Sequence, residues 1–210
     1  MKLVVTAGPT REPIDPVRFL SNRSSGKMGY AIAEAALEAK HEVILISGPV
    51  CLAPPAGATL IRILTSDELF AAVHEHAPHC DVLVMCAAVA DYKPATVAEQ
   101  KSEKQTGAFS LSLTSTKDIL ASLPRTNRPY LVIGFAAQTH DLERNARRKL
   151  FAKNCDAIIA NDVSKNDSGM ESDDNEVTIF TRNGDEKRLA RASKKIIARE
   201  ILKKIIAMRE

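Results

Sequence analysis

The densest run of chemistry-bearing residues covers positions 8–29, GPTREPIDPVRFLSNRSSGKMG. Its tail, Ser24-Ser25-Gly26-Lys27-Met28-Gly29, opens a helical pattern over residues 30–40. The hydroxyls suit helix capping, and the glycines let backbone N–H groups approach an anion, as at a phosphate-binding helix N-terminus. The same residues also suit a capped helix that holds nothing. The run is not a Walker A loop, because Ser21 stands at the first Gly position and Met28 at the Ser/Thr position. It is not a dinucleotide fingerprint either, since Thr6-Ala-Gly-Pro-Thr10 carries one glycine followed by proline. Arg18 and Asn22 lie four apart just upstream and would share a face on a helix. Such an Arg can grip a carboxylate or phosphate bidentately, and the Asn amide both donates and accepts.

Asp91 closes Cys86-Ala-Ala-Val-Ala-Asp91, a stretch of small residues after an apolar run. A carboxylate there suits Mg²⁺ or a ribose, as it suits a turn or an N-cap. Lys149 and Lys153 are one helical turn apart and would either clamp phosphates or complement the negative end of their own helix. His74, His76 and His79 are not spaced to place ligands on one helical face and read as a solvated cluster. The four cysteines, Cys51, Cys80, Cys86 and Cys155, form no CxxC pair and read as reduced thiols in a cytoplasmic protein. No Gly-x-Ser-x-Gly nucleophile elbow is present.

These residues must be positioned by short apolar runs at residues 3–5, 43–46, 82–85, 131–133 and 157–159. Each run is aliphatic at consecutive positions, as in strands covered on both faces. Helical patterns at residues 31–39, 67–75 and 142–153 alternate with them, which predicts right-handed crossovers and a doubly wound, mainly parallel, Rossmann-like α/β sheet in a single domain spanning residues 1–210. Small and polar residues follow every run, at the carboxyl edge where open α/β sheets bind ligands. Residues 97–116 read as a mobile flap leading into an alternating strand at residues 109–113, and residues 164–174 as a surface loop. Asn183-Gly184 marks an added hairpin. Residues 194–208 form a basic amphipathic helix expected to pack on the sheet. With 29 Lys+Arg against 26 Asp+Glu, a formal +3, and 4% aromatics, the chain is expected to bind no nucleic acid. No apolar run approaches a membrane span.

Taken together, TAGPTREPIDPVRFLSNRSSGKMG, CAAVADYKPATVAEQK, IGFAAQT and IIANDVS, in this order, resemble the phosphopantothenoylcysteine synthetase family. The resemblance runs from Val4 to the C-terminal helix and implies a ligase of coenzyme A biosynthesis. In that family the carboxylate of 4′-phosphopantothenate attacks the α-phosphate of CTP, with Mg²⁺, and the amine of L-cysteine then attacks the acyl-cytidylate. Residue by residue, the match implies that Asn22 acts on the acyl-cytidylate, with Arg18 from the same motif and Lys101 from the flap. It implies nucleotide contacts from Ala87, Asp91, Lys117, Asp118, Ile119, Leu120, Phe135, Lys149 and Lys153, with Asp91 nearest the metal. Ser25 and Gly26, the helix-opening residues, complete the expected nucleotide site. The flap reads Lys101-Ser-Glu-Lys104, with Glu103 where many bacterial members carry Lys. The resemblance further implies a homodimer, and either a free-standing synthetase or a domain excised from behind a flavin-dependent decarboxylase, which would otherwise be a separate partner. ATP remains the alternative to CTP. Two other classes stay open from the residues: an NAD(P)-linked oxidoreductase, which would need the missing fingerprint, and a nucleotide sensor without turnover.

Overall fold

A computed structural model describes residues 1–104, 106–138, 141–162 and 172–209. The chain opens with β1 (Lys2–Ala7), the short hairpin β2 (Arg11–Pro13) and β3 (Phe19–Ser21), α1 (Lys27–Glu38), β4 (Glu42–Ser47) and β5 (Thr59–Arg62). It continues through α2 (Ser66–His76), β6 (Val82–Met85), β7 (Tyr92–Pro94), β8 (Leu113–Ser115) and α3 (Ile119–Ser122). The last elements are β9 (Leu131–Gln138), α4 (Leu142–Ala152), β10 (Ala157–Asp162), β11 (Asp174–Thr181), β12 (Glu186–Ser193) and α5 (Lys194–Arg209).

The main sheet has eight strands in the order β12-β11-β10-β9-β6-β1-β4-β5. From β10 to β5 every pairing is parallel, and the hairpin β11–β12 continues the sheet in antiparallel sense. The unbroken apolar strands explain the layering. On β1, Leu3 and Val5 feed one core with α1 and α5, while Val4 feeds the other with Leu69, Val73 and Leu150 of α2 and α4. A strand with neighbours above and below cannot alternate polar and apolar, so the run of Leu-Val-Val is the signature of a three-layer sandwich. In α5, Ile197, Ile201 and Ile205 are buried. Each such side chain contributes roughly 1.5–3 kcal/mol relative to exposure, enough to dock the helix firmly despite its basic outer face.

The five expected strands and the helices between them are present, and the C-terminal helix packs on the sheet as expected. Three details differ. The Thr59–Arg62 segment is an extra edge strand, paired with β4, which its short and partly exposed sequence did not mark. The alternating segment at residues 109–113 is not a strand of its own. Only Leu113–Ser115 pairs, with Tyr92–Pro94, in a separate two-stranded sheet, because both of its faces are open to solvent. The loop at residues 164–174 lies mostly outside the described residues, and Asp174 already belongs to β11. Among the described residues no helix is long and apolar enough to cross a membrane.

Candidate active site

From β1 the chain crosses via α1 to β4 on one side; after β5 it returns via α2 to β6 on the other. The order therefore reverses between β1 and β6, and the carboxyl ends of those two strands part to leave a crevice. Backbone groups stitch the crevice floor. Thr6, fully buried, accepts through Oγ1 from the N–H groups of Cys86 and Ala87 at 3.1 and 3.0 Å. The Gly8 carbonyl accepts from Ala88 N–H at 2.9 Å, and Thr10 Oγ1 accepts from Ala90 N–H at 3.0 Å. The small residues between Cys86 and Asp91 are small because they lie against the β1 exit loop in this way.

Above this floor is a cavity of about 540 Å³, a size ordinary for a nucleotide or cofactor site. One wall is the start of α1. Gly26 occupies its N-cap with φ 77°, and no side chain caps it. Ser24, one of the serines expected to cap, accepts through Oγ from the N–H of the N-cap residue Gly26 itself, at 3.4 Å. The helix therefore presents its N-terminal backbone and the positive end of its dipole to the cavity. Gly29, one turn on, lets α1 press against β1, since a Cβ there would stand 2.6 Å from Ala7 Cβ and 2.9 Å from the Thr6 carbonyl oxygen.

The sequence-expected residues divide clearly by position. Asn22, Gly26, Ala87 and Asp91 line the cavity. So do Lys117, Asp118, Ile119, Leu120, Phe135, Lys149 and Lys153. Arg18, Ser25 and Lys101 do not. Arg18 and Asn22 do not share a helical face, because the residues between them form β3 and not a helix. Asn22 turns inward and donates from Nδ2 to the Ala88 carbonyl at 3.0 Å. Arg18 instead donates from Nε and Nη2 to Asp15 Oδ2 at 2.9 and 2.5 Å, and from Nη2 to the Ser102 carbonyl at 3.0 Å. The Arg18 guanidinium holds the Asp15 carboxyl well below the usual carboxylate range, helped by the backbone N–H groups of Val17, Arg18 and Ser102. Arg18 and Asp15 thus fasten the β2–β3 hairpin to the root of the segment that carries Lys101.

On the opposite flank, Asp118 caps α3, accepting from Ala121 N–H at 3.0 Å, and pairs with Lys153. Lys117 reaches Asp67 at 3.3 Å, and Lys93 pairs with the same carboxylate. Lys149 sits in the last turn of α4 and lines the cavity as well, so its two readings, helix end and cavity cation, are met by one position. Burial lowers its proton affinity from the ordinary lysine value, partly opposed by Asp91. Asp91 caps no helix; its carbonyl accepts from Thr116 N–H at 3.0 Å, which leaves the carboxylate at the cavity rim. His74 bonds to the Phe70 carbonyl and to Ser122, joining α2 to α3 and not to the cavity.

The sequence reading missed Lys194, Asn161 and Asn175, which complete the cavity wall from α5, β10 and β11. One signal was present: a lysine at the first position of a helix opposes the usual charge preference. Cys86 also lines the cavity, and burial pushes its thiol up to about 12, as it pushes Cys155 to about 12 and Cys80 to about 11. Cys51 is exposed. Since only thiolates alkylate rapidly, iodoacetamide at pH 8 should label Cys51 alone within the time that leaves the other three unmodified. Peptide mass mapping showing Cys86 labelled as fast as Cys51 would contradict this picture.

A family model, the DNA/pantothenate metabolism flavoprotein C-terminal domain, matches residues 1–208. The chain belongs to this family. It is similar to the coenzyme A biosynthesis bifunctional protein CoaBC of Bacillus subtilis (strain 168), 47% identical over 207 residues, covering 98% of this chain and 51% of that protein. The protein of the same name from Escherichia coli (strain K12) is 42% identical over 211 residues, covering 98% of this chain and 52% of its own length. The chain thus spans about half the length of these curated relatives. A crystal structure of the C-terminal domain of CoaBC superimposes with a TM-score of 0.84 at 42% identity, covering 99% of this chain and 94% of that one. The family likeness covers both the switch-point crevice and the β11–β12 hairpin that closes its far wall.

Proposed function

We propose that this chain joins 4′-phosphopantothenate to L-cysteine at the expense of a nucleoside triphosphate, CTP, in coenzyme A biosynthesis. A cationic crevice at a topological switch point, in a chain of this family, is the observation that carries the reading. A carboxylate does not condense with an amine unaided; its oxygen must first displace pyrophosphate from the α-phosphorus, giving an acyl-cytidylate. The cysteine amine then attacks the acyl carbon and CMP departs. Both steps ask for positioning and charge neutralisation, not for a protein nucleophile, and the cavity has the parts for that. The open end of α1 at Gly26 takes phosphate oxygens, as do Lys149 and Lys153. The segment Lys117, Asp118, Ile119 and Leu120 holds the ribose, with Phe135 and Ala87 about the rest of the nucleotide. Asn22 orients the acyl-cytidylate. Asp91, a carboxylate on the rim beside phosphate-binding positions, fits Mg²⁺, which commonly takes one or two carboxylates and completes its shell with substrate phosphates and water. When bound, the ion would supply further charge neutralisation.

Arg18 and Lys101 lie outside their own cavity, which suits a homodimer in which they serve the neighbouring site. Val17, Phe19, Tyr92, Val97, Phe109 and Leu113, all exposed, belong to the β2–β3 hairpin, the β7–β8 hairpin and the flap between β7 and β8. Such a cluster of large apolar side chains marks an interaction surface, here assigned to the second copy. A flavin-dependent decarboxylase, covalently joined or separate, is the further partner in this reading. The test is pyrophosphate release with each of CTP, ATP, GTP and UTP, with and without cysteine, in the presence of 4′-phosphopantothenate and Mg²⁺. Release with CTP above the other three is the expected result. Binding of CTP with no release under any condition would leave a nucleotide sensor in its place.

A further inference from the structure

The first residue of α5 is a lysine in surroundings that oppose an ammonium ion. Lys194 is 6% exposed, and its Nζ donates to the Ser172 carbonyl. Burial and the nearby Lys27 push its proton affinity down, with Asp173 and Asp174 among the groups that push it back. Asp173 is itself paired with Lys27, Nζ to Oδ1 at 2.6 Å. The N-terminus of α5 adds positive partial charge at the same place, where acidic residues are favoured. The buried isoleucines of α5, Ile197, Ile201 and Ile205, fix this cation in place.

What Lys194 faces gives it a use. It lines the same cavity as the uncapped start of α1, on the α1–α5 side of the sheet. Asn161 lines that cavity too, with an Oδ1 that is buried and lacks a hydrogen-bond partner among the described residues. Asn175, 2% exposed, adds a second amide. On the other flank Lys153 is already answered by Asp118. The open N-terminus of α1 and a buried ammonium on one side make that side the stronger attractor for a polyanion.

We propose that Lys194 grips the β- and γ-phosphates of the nucleotide and stabilises them as departing pyrophosphate, an assignment that rests on the ligase reading above. In that step the acid's carboxylate oxygen forms a bond to the α-phosphorus. The bond from that phosphorus to the α,β-bridging oxygen breaks, and its electron pair passes to the leaving pyrophosphate. Lys194 neither gives nor takes a proton; its ammonium hydrogen-bonds to the oxygens on which charge accumulates.

The test compares CTP with CMP, which lacks the two phosphates in question. Lys194→Met should weaken CTP binding about 10–100-fold, the loss typical of one charge-assisted hydrogen bond, and leave CMP binding unchanged by calorimetry. Lys194→Arg should recover part of the CTP affinity. Equal losses for CTP and CMP would make Lys194 a merely structural residue, and no loss for either would remove it from the site; both overturn the proposal while the ligase reading stands. Wild-type protein that binds neither nucleotide would overturn both. Should Lys194→Met fail to fold, a crystal of the wild-type protein with α,β-methylene-CTP decides. Terminal phosphates within hydrogen-bond reach of Lys194 Nζ support the assignment, and terminal phosphates held on the Lys149 and Lys153 side overturn it.

Discussion

Asn22→Asp is expected to stop the reaction half-way, with pyrophosphate still released once per site and acyl-cytidylate accumulating in place of product. Asn22 is held by a hydrogen bond from Nδ2 to the Ala88 carbonyl, at 3.0 Å, on the loop that joins β6 to the rim carboxylate Asp91. An aspartate has the same size but no donor, so it meets that carbonyl oxygen with a negative charge and swings away. The site then loses an amide that would hydrogen-bond to the acyl-cytidylate as cysteine attacks. Loss of one such preorganised donor typically lowers turnover by roughly 10²–10³-fold. In the proposed reaction the first step draws on the α1 terminus and the lysines, which the substitution leaves in place. Rapid-quench mass spectrometry of the variant with CTP and 4′-phosphopantothenate should show the mixed anhydride. Disappearance of pyrophosphate release with no intermediate would remove Asn22 from the second step.

The second large effect concerns Gly29, which lines the cavity and sets how closely α1 lies against β1. Its missing Cβ allows α1 to lie against Ala7 and the Thr6 carbonyl of β1. Gly29→Val would place three carbons where a first one already stands 2.6 Å from another Cβ. Overpacking of this kind commonly costs about 1–3 kcal/mol. Gly→Ala in a helix recovers about 1 kcal/mol of propensity, but β-branched valine returns only part of that. Neither neighbour is the far end of a flexible side chain, so the strain falls on backbone and should exceed the gain. The expected outcome is a loss of at least about 2 kcal/mol by urea denaturation. It should be joined by weakened CTP binding, because α1 can relieve the clash only by withdrawing its N-terminus from the cavity. Unchanged stability would mean that α1 does not sit this close to β1.

Much of this arrangement is readable without coordinates. Consecutive aliphatic runs at residues 3–5, 43–46 and 82–85 cannot be half-exposed strands, so a sandwich with helices on both faces follows from hydrophobic burial alone. The small residues after each run point to the ligand edge because only backbone-sized neighbours fit where two parallel strands diverge. Ordered motifs then named the family, which the matches bear out. Folding in three dimensions decided the rest. Arg18 and Asn22, four residues apart, part company because the extended β3 spaces them along the strand instead of holding them one helical turn apart, and Asp15 captures the guanidinium. Thr59–Arg62 joins the sheet only because β4 offers it an open edge, a partner that no local pattern reveals. Lys194, Asn161 and Asn175 meet at one cavity only through the pairing of β10 with β11 and the docking of α5. Residues so far apart in the chain share a wall through strand pairing and helix packing, which are long-range contacts that local periodicity does not encode.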